Sequence, residues 1–362
     1  MNRQVVVKRL PALKQGREIV ISDIHANLDL YRRLLRQIDY RPGVDRLILL
    51  GDLIEKGTQN LEMVRYVMKQ TQNEDVWCVM GNCDFIAKNV LYSYRLDFLK
   101  HVLRFREHSL IHEMAKQIRI SMEEMPMDEF CQQLRLHFLP ELSFLNDLPH
   151  VLESDSRIYA HAAIRSEDNY GDDFKEVMAM PMFLKRKIRF QKTVVVGHMP
   201  VTEYCSKIAC FDPLYDAERN VWSIDGGNVV KHAGQLNALI FDGSAASTAR
   251  ADTLEERTVV RDVAPSTQIP FFINWNNGEV DILKEAAKQC FVHSPYLNRS
   301  FWIDRAFLQC EQARVKGTDY TNYEMPLRKD DRVKIVFSYD EKMQIKKDGV
   351  LGWTDKKNIE PK

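Results

Sequence analysis

The stretch REIVISDIHAN (residues 17–27) opens on a short apolar run, closes it at Ser22-Asp23, and places His25 two residues further on. Such a run, bounded by small and acidic residues, reads as a buried strand whose carboxyl end opens into a loop. The pattern recurs in DRLILLGD (45–52), DVWCVMGN (75–82), SRIYAHA (156–162), KTVVVGH (192–198) and NVWSID (220–225). Between the first three runs lie NLDLYRRLLRQID (27–39) and NLEMVRYVMKQ (60–70), with apolar residues three and four apart, the spacing of one helical face. Strand, loop, helix, strand predicts a layered α/β fold around an internal sheet.

Outward from this core the texture changes twice. Residues 87–148 are charged and helix-rich, as expected of an all-helical insertion beside the sheet. STARADTLEERT (247–258) is polar and reads as a loop or linker. Beyond it the chain is β-rich with a faint repeat. Val280-Asp281-Ile282 precedes Trp302 by about as much as Val333-Lys334-Ile335 precedes Trp353.

Composition narrows the function classes. Of 362 residues, 45% are apolar and 28% charged, so a sizeable core needs no disulfides. Lys plus Arg equals Asp plus Glu, at 51 each, so net charge does not indicate nucleic acid or an anionic membrane. No run approaches the 18 or so apolar residues of a membrane span, and the first residues lack a secretory signal pattern. The seven cysteines are odd in number and unpaired in spacing, which predicts reduced thiols and a cytoplasmic setting.

The polar residues just past the strands carry the chemistry. Asp23, His25, Asp52, Asn82, His161 and His198 each follow a predicted strand, and ligands of open α/β sheets bind outside such carboxyl ends. Two carboxylates, an amide oxygen and three imidazoles suit Mn, Fe or Zn better than Ca or Mg. To hold two ions, one carboxylate must bridge them, and Asp52 is the best placed.

In this order, SDIHAN, GDLIEKG, GNCD, YAHAAI and VVVGHMPV resemble the metallophosphoesterase (calcineurin-like) superfamily over about residues 17–242. Within it they look most like the bacterial Ser/Thr phosphoprotein phosphatases. The resemblance implies a layered β-sandwich flanked by helices. It also implies two divalent transition metals, with Mn expected and Fe or Zn as alternatives. Asp23, His25 and Asp52 would hold the first ion; Asp52, Asn82, His161 and His198 the second. A metal-bridging hydroxide would attack phosphorus. The domain plan is then a catalytic domain at 1–246, with its helical insertion at 87–148. A β-rich linker or first small barrel follows at 247–311, and a barrel at 312–362 resembles the Src-homology-3 type.

Two motifs depart from the family. Gly-Asn-Cys-Asp stands where Gly-Asn-His-Glu is usual, and Glu55-Lys56-Gly57 replaces Asp-Arg-Gly. The expected acid machinery is therefore Cys83, Asp84 and Glu55. Phosphate contacts fall to Lys56, Asn82, Arg165 and Arg186, although Lys lacks the bidentate fork of Arg. His150 and His232 read as structural or surface residues. Three functions stay open: a Ser/Thr phosphatase-like phosphomonoesterase, a phosphodiesterase or nucleotide hydrolase, and a non-catalytic scaffold. The expected partners are a phosphorylated protein or small molecule and a peptide or protein ligand of the C-terminal barrel, with no membrane.

Overall fold

A computed structural model describes residues 3–311 and 314–361, and in it each of the apolar runs quoted above contains a strand. The chain runs β1 (Val7–Arg9), β2 (Glu18–Ile21), α1 (Leu28–Gln37), β3 (Arg46–Leu49), α2 (Asn60–Asn73) and β4 (Val76–Cys78). Four helices follow: α3 (Ile86–Leu91), α4 (Leu96–Phe105), α5 (Leu110–Ile118) and α6 (Met127–Asn146). Then come β5 (Val151–Glu153), β6 (Arg157–Ala160), α7 (Phe174–Ala179), β7 (Thr193–Val196), β8 (Leu214–Asp216), β9 (Val221–Ser223), β10 (Leu236–Asp242) and β11 (Ala245–Ala251).

Among the described residues these strands form two sheets, ordered β1-β5-β6-β7-β9-β8 and β11-β10-β2-β3-β4. Strands β2, β3 and β4 are parallel, as are β6, β7 and β9, so within each sheet their carboxyl ends share one side. Side chains alternate across the second sheet with the period of two that a strand imposes. Val20, Ile48 and Leu239 pack on Leu152, Tyr159 and Val195 of the first sheet. Their neighbours Ile19, Ile21, Leu47 and Leu49 pack instead on α1, α2 and α6 through Leu34, Val64 and Phe130. Each such fully buried side chain contributes roughly 1.5–3 kcal/mol. The result is a two-sheet sandwich with helices on one outer face.

Local signals set the helix ends. Asn27 caps α1 by accepting the Leu30 N–H, and Ser109 caps α5 by accepting that of Ile111. Helix α6 kinks at Phe138 (φ −130°, ψ 27°), two residues before Pro140, which lacks an N–H for the helical ladder. No described helix is long and apolar enough to cross a membrane.

The polar stretch 247–258 is a correction: it is mostly strand. β11 pairs antiparallel with β10 through a tight turn at Gly243 (φ 58°), and β12 (Glu255–Thr258) begins another sheet. β11 is an edge strand with a mostly exposed burial pattern, and its alanine-rich sequence shows no apolar alternation.

The chain divides into two compact units, the first extending to Asp252 without Val201–Asp212 and Lys231–Ala233, which belong to the second. The second unit holds β13 (Phe272–Ile273), β14 (Asp281–Glu285), β15 (Gln289–Ser294), β16 (Arg299–Asp304), β17 (Leu308–Glu311) and β18 (Arg314–Gly317). After them come β19 (Tyr320–Thr321), β20 (Arg332–Tyr339), β21 (Lys342–Lys347) and β22 (Val350–Asp355). The repeat corresponds to two meanders, β14-β15-β16 and β20-β21-β22, each with its Trp on the third strand and a 3-10 turn just after. The expected closed barrels are not found: the described strands form open sheets of four, three and two strands. Spacing registers strands and turns, but not whether the first strand pairs with the last. Residues 312, 313 and 362 of the expected last barrel lie outside the described residues.

Candidate metal centre

The six expected ligands all stand where a strand ends. Asp23 and His25 follow β2, Asp52 follows β3, Asn82 follows β4, His161 follows β6 and His198 follows β7. The backbone there turns abruptly. Asp23, His25, Asp52 and His198 adopt positive φ values of 54°, 50°, 49° and 65°. Such left-handed non-glycine residues are strained by about 1–3 kcal/mol each and cluster at functional sites. Hydrogen bonds hold them: the Asp23 N–H donates to Gly51 O at 3.2 Å, and the His25 N–H to Asp52 O at 2.9 Å. Asp23 Oδ2 accepts the His198 N–H at 2.9 Å, and Asp52 Oδ1 accepts the Cys83 N–H at 2.8 Å. Only glycine fits beside these carboxylates. A Cβ on Gly197 would fall 2.4 Å from Asp23 Oδ2, and one on Gly81 would fall 2.2 Å from Asp52 Oδ1.

Donor atoms of Asp23, Asp52 and His161 lie within 4.8 Å of one another, and so do those of His25, Asp52 and Cys83. Asp52 belongs to both groups. His25 Nε2 is 3.9 Å from oxygens of both Asp23 and Asp52, and His161 Nε2 is 3.4 Å from Asp52 Oδ1 and 3.1 Å from Asn82 Oδ1. The rings of His161 and His198 are 5.0 Å apart. His161 Nδ1 sits 2.6 Å from Leu50 O, which assigns its proton to that nitrogen and turns the Nε2 lone pair inward.

The electrostatics fit a pair of divalent cations. Burial, and next the charge of Asp52, push the Asp23 pKa up to about 8. Asp52 is buried too, yet His161, His25 and Lys56 overcome that penalty and hold its pKa below the usual range. Burial, and then Lys56, lower His25 to about 3, while burial, and then His161, lower His198 to about 4. Crowded buried carboxylates facing neutral imidazoles form an arrangement in want of positive charge, with its nitrogen lone pairs available.

Residues 17–225 match the sequence profile of the calcineurin-like phosphoesterases. The chain belongs to the calcineurin-like phosphoesterase family. Members of this family of phosphoric ester hydrolases use a divalent metal pair. A symmetrical bis(5'-nucleosyl)-tetraphosphatase of Pseudomonas fluorescens is 31% identical over 104 residues, 28% of this chain and 35% of the relative. The corresponding protein of Chromobacterium violaceum is 42% identical over 64 residues, 18% and 22% respectively. The chain thus spans about a third or less of these curated relatives. A solved chain described as a proposed diadenosine tetraphosphatase is 20% identical with a TM-score of 0.47, covering 69% of this chain and 99% of that one.

The residues expected to serve as acids in this phosphoesterase fold have structural partners. Glu55 is fully buried and accepts hydrogen bonds from the Ser109 hydroxyl at 3.0 Å and the Leu110 N–H at 2.9 Å, with Arg106 as its ion-pair partner. Asp84 accepts the N–H groups of Gly81 (2.8 Å) and Leu53 (2.9 Å), stapling two ligand loops together, and burial, and next Asp52, raise its pKa to about 7. Cys83 adjoins the ligands, but burial pushes its thiol well above the ordinary range.

Of the residues expected to contact phosphate, Lys56 lies against the ligand set, its ammonium 3.3 Å from His25 Nε2. Arg165 instead forms a fork on Glu176 at 2.8 and 3.2 Å and pairs with Asp172 at 2.5 Å, while the Arg186 guanidinium meets the Met180 sulfur. Both are thus engaged with residues outside the ligand set. His150 takes the Val6 N–H at 2.9 Å, and His232 bonds Val336 O at 2.8 Å, both structural contacts.

Three further residues bear on the site. Asp225, at the end of β9, is buried, and burial, and next the charge of Asp23, drive its pKa far up. It obeys the same strand-end rule that found the ligands. Ser22 bonds the Asp23 carboxylate. Arg106, at the end of α4, carried no signal in the sequence.

Proposed function

We propose that this protein hydrolyses a phosphoric ester or anhydride of a small molecule whose leaving group is both anionic and aromatic, such as a nucleotide. The observation that carries this reading is a cavity of about 280 Å³ bordered by Asn82 and Cys83. Its walls include Phe85, Phe98 and Phe174, and it also presents Arg95, Lys175 and the Glu55-paired Arg106, with no carboxylate in its lining. Rings favour a flat apolar group, and cations favour phosphate. The two curated relatives are bis(5'-nucleosyl)-tetraphosphatases, which supports the same class.

In this reading Asp23, His25 and Asp52 hold one metal, and Asp52, Asn82, His161 and His198 the other. The pair would supply Lewis acidity and a water acidified enough to act as nucleophile. The chain itself orients. Lys56 meets a phosphate oxygen as a point charge, Asp84 keeps the ligand loops in register, and Cys83, held neutral by burial, lines the path of the leaving group. A leaving group that departs as a phosphate anion needs little protonation, which is consistent with the loss of the family's acid histidine. A second reading, a Ser/Thr phosphoprotein phosphatase, is favoured by the order and spacing of the five motifs. A scaffold with a decayed site is disfavoured because all six ligands are present.

The division into a catalytic region (1–246) and β-rich recognition regions (247–311 and 312–362) remains part of this proposal. So does a Src-homology-3-like kinship of the second meander, supported by the recurring Trp and 3-10 turn. Manganese is the proposed metal and the cytoplasm the proposed location, the latter supported by seven unbridged cysteines among the described residues.

The test is the purified full chain with Mn²⁺, given bis(5'-adenosyl) tetraphosphate, bis-p-nitrophenyl phosphate, p-nitrophenyl phosphate and a phosphothreonine peptide. The dinucleotide should be turned over with the highest kcat/KM. A phosphopeptide processed faster would replace this reading with the protein phosphatase. Less than about one bound metal per chain after loading would favour the scaffold.

A further inference from the structure

The second unit contains a cavity of about 350 Å³ that the chemistry above does not use. Its walls are aromatic: Trp302 on β16, Phe307 in the following 3-10 turn, Tyr320 on β19, Tyr339 at the end of β20 and Trp353 on β22. The rings support one another, with Phe307 edge-on to Tyr320 at 5.5 Å and to Trp353 at 6.0 Å. Two polar tips are tied to the backbone, the Tyr320 hydroxyl donating to Trp302 O at 3.0 Å and the Trp353 indole N–H to Thr321 O at 2.9 Å. These rings are therefore fixed in place before any ligand arrives.

At this aromatic wall stands Asp304, only 9% exposed. Its Oδ1 accepts the Ala306 N–H at 2.8 Å, capping the 3-10 turn. Its Oδ2 is buried and makes no hydrogen bond. The Tyr339 hydroxyl hydrogen-bonds this carboxylate, which raises that phenol's pKa to about 12, and Oδ2 still lacks a partner of its own. A buried acceptor left unmatched is destabilising, and native proteins keep few of them. The other charges lining the cavity are Glu324 and Lys342, and these two pair with each other at 2.5 Å. The lining therefore carries one negative charge in excess.

We propose that this cavity binds an arginine side chain presented by a peptide. A guanidinium satisfies both features at once. Its charge offsets that of the Asp304 carboxylate, and its weakly hydrated plane stacks on the ring faces. An anion would meet the carboxylate unfavourably, and a neutral aromatic would leave its charge uncompensated. The proposal is independent of the reaction at the metal centre.

The experiment uses the full chain and follows Trp fluorescence and calorimetry with a five-residue peptide, Gly-Ser-Arg-Ser-Gly. Its citrulline counterpart, which keeps the shape and loses the charge, and free methylguanidinium serve as comparisons. The arginine peptide should bind at least about tenfold more tightly than the citrulline peptide. Asp304→Asn, which keeps an oxygen for the Ala306 N–H, should remove at least about tenfold of that affinity. Trp302→Leu, at a residue already 41% exposed, should also weaken binding while circular dichroism shows the fold intact. No binding at millimolar peptide, equal affinity for citrulline, or an Asp304→Asn protein that binds as before would overturn the proposal. Methylguanidinium binding as tightly as the peptide would overturn the peptide as the source.

Discussion

In the metal centre of the first unit, buried carboxylates crowd together, and backbone amides reach Asp23, Asp52 and Asp84. In the aromatic cavity of the second unit, the Asp304 carboxylate stands among rings, and its buried Oδ2 has no hydrogen-bond partner. Both places are short of positive charge, but in different amounts. Several carboxylates with neutral imidazoles call for multivalent ions held by rigid loops, whereas one carboxylate among flat rings calls for a single soft organic cation. The kind of missing cation therefore follows from how many anions are buried and what surrounds them.

The largest effect should come from Asp52→Asn, at the one residue common to both donor groups. Asparagine can still accept the Cys83 N–H, so the loops should keep their shape while the bridging charge is lost. Altering groups that merely support a metal ligand reduces affinity or activity by about 10–100-fold, so kcat/KM should fall by more than about 100-fold here. Metal content by elemental analysis should fall with it. The metal-free variant should be less stable than the metal-free wild type, because His161, His25 and Lys56 hold the Asp52 pKa below the usual range and its charge is therefore favourable in the fold. Full metal occupancy with full activity in this variant would break the contrast drawn above.

The two sites also differ in how far the sequence disclosed them. Asp23, Asp52, Asn82, His161 and His198 each terminate an apolar run, and the parallel pairing of β2 with β3 and β4, and of β6 with β7, gathers such ends by geometry alone. That is a local pattern repeated in order, and it is visible one strand at a time. Asp225, at the end of NVWSID, obeys the same rule. The aromatic cavity draws on Trp302, Tyr339 and Trp353, brought together by antiparallel pairing whose register no motif announces. Glu55 illustrates the same limit within the first unit. Its partners Arg106, Ser109 and Leu110 are 51 to 55 residues away, so no motif shows that this residue, matched to an acid by position, also anchors a helix.

Glu55→Ala sharpens that distinction with an intermediate effect. It would strand the Ser109 hydroxyl and the Leu110 N–H inside the protein and leave Arg106 without its carboxylate. Losing a buried, hydrogen-bonded carboxylate of this kind should lower stability by about 2–3 kcal/mol in urea denaturation. Metal content should be unchanged. If kcat instead fell by more than about tenfold with stability intact, Glu55 would act on the substrate as the family comparison implied.

The smallest effect is expected at Arg165, and it tests whether sequence position or observed pairing is the better guide. Arg165 follows His161 by four residues, which made it a candidate for gripping phosphate. In the structure its guanidinium forms a fork on Glu176 and a further bond to Asp172, whose side chain is 70% exposed. A phosphate would have to compete with two carboxylates already satisfied by the same N–H groups. Exposed pairs of this type contribute little, so Arg165→Ala should change kcat/KM by less than about threefold and leave the melting temperature nearly unaltered. Lys56, with its ammonium 3.3 Å from His25, is the better placed cation, so the same substitution there should be the more damaging. A loss above about tenfold at Arg165 would mean that substrate draws the guanidinium off Glu176, and phosphate recognition would then have to be assigned to a rearranged α7 loop.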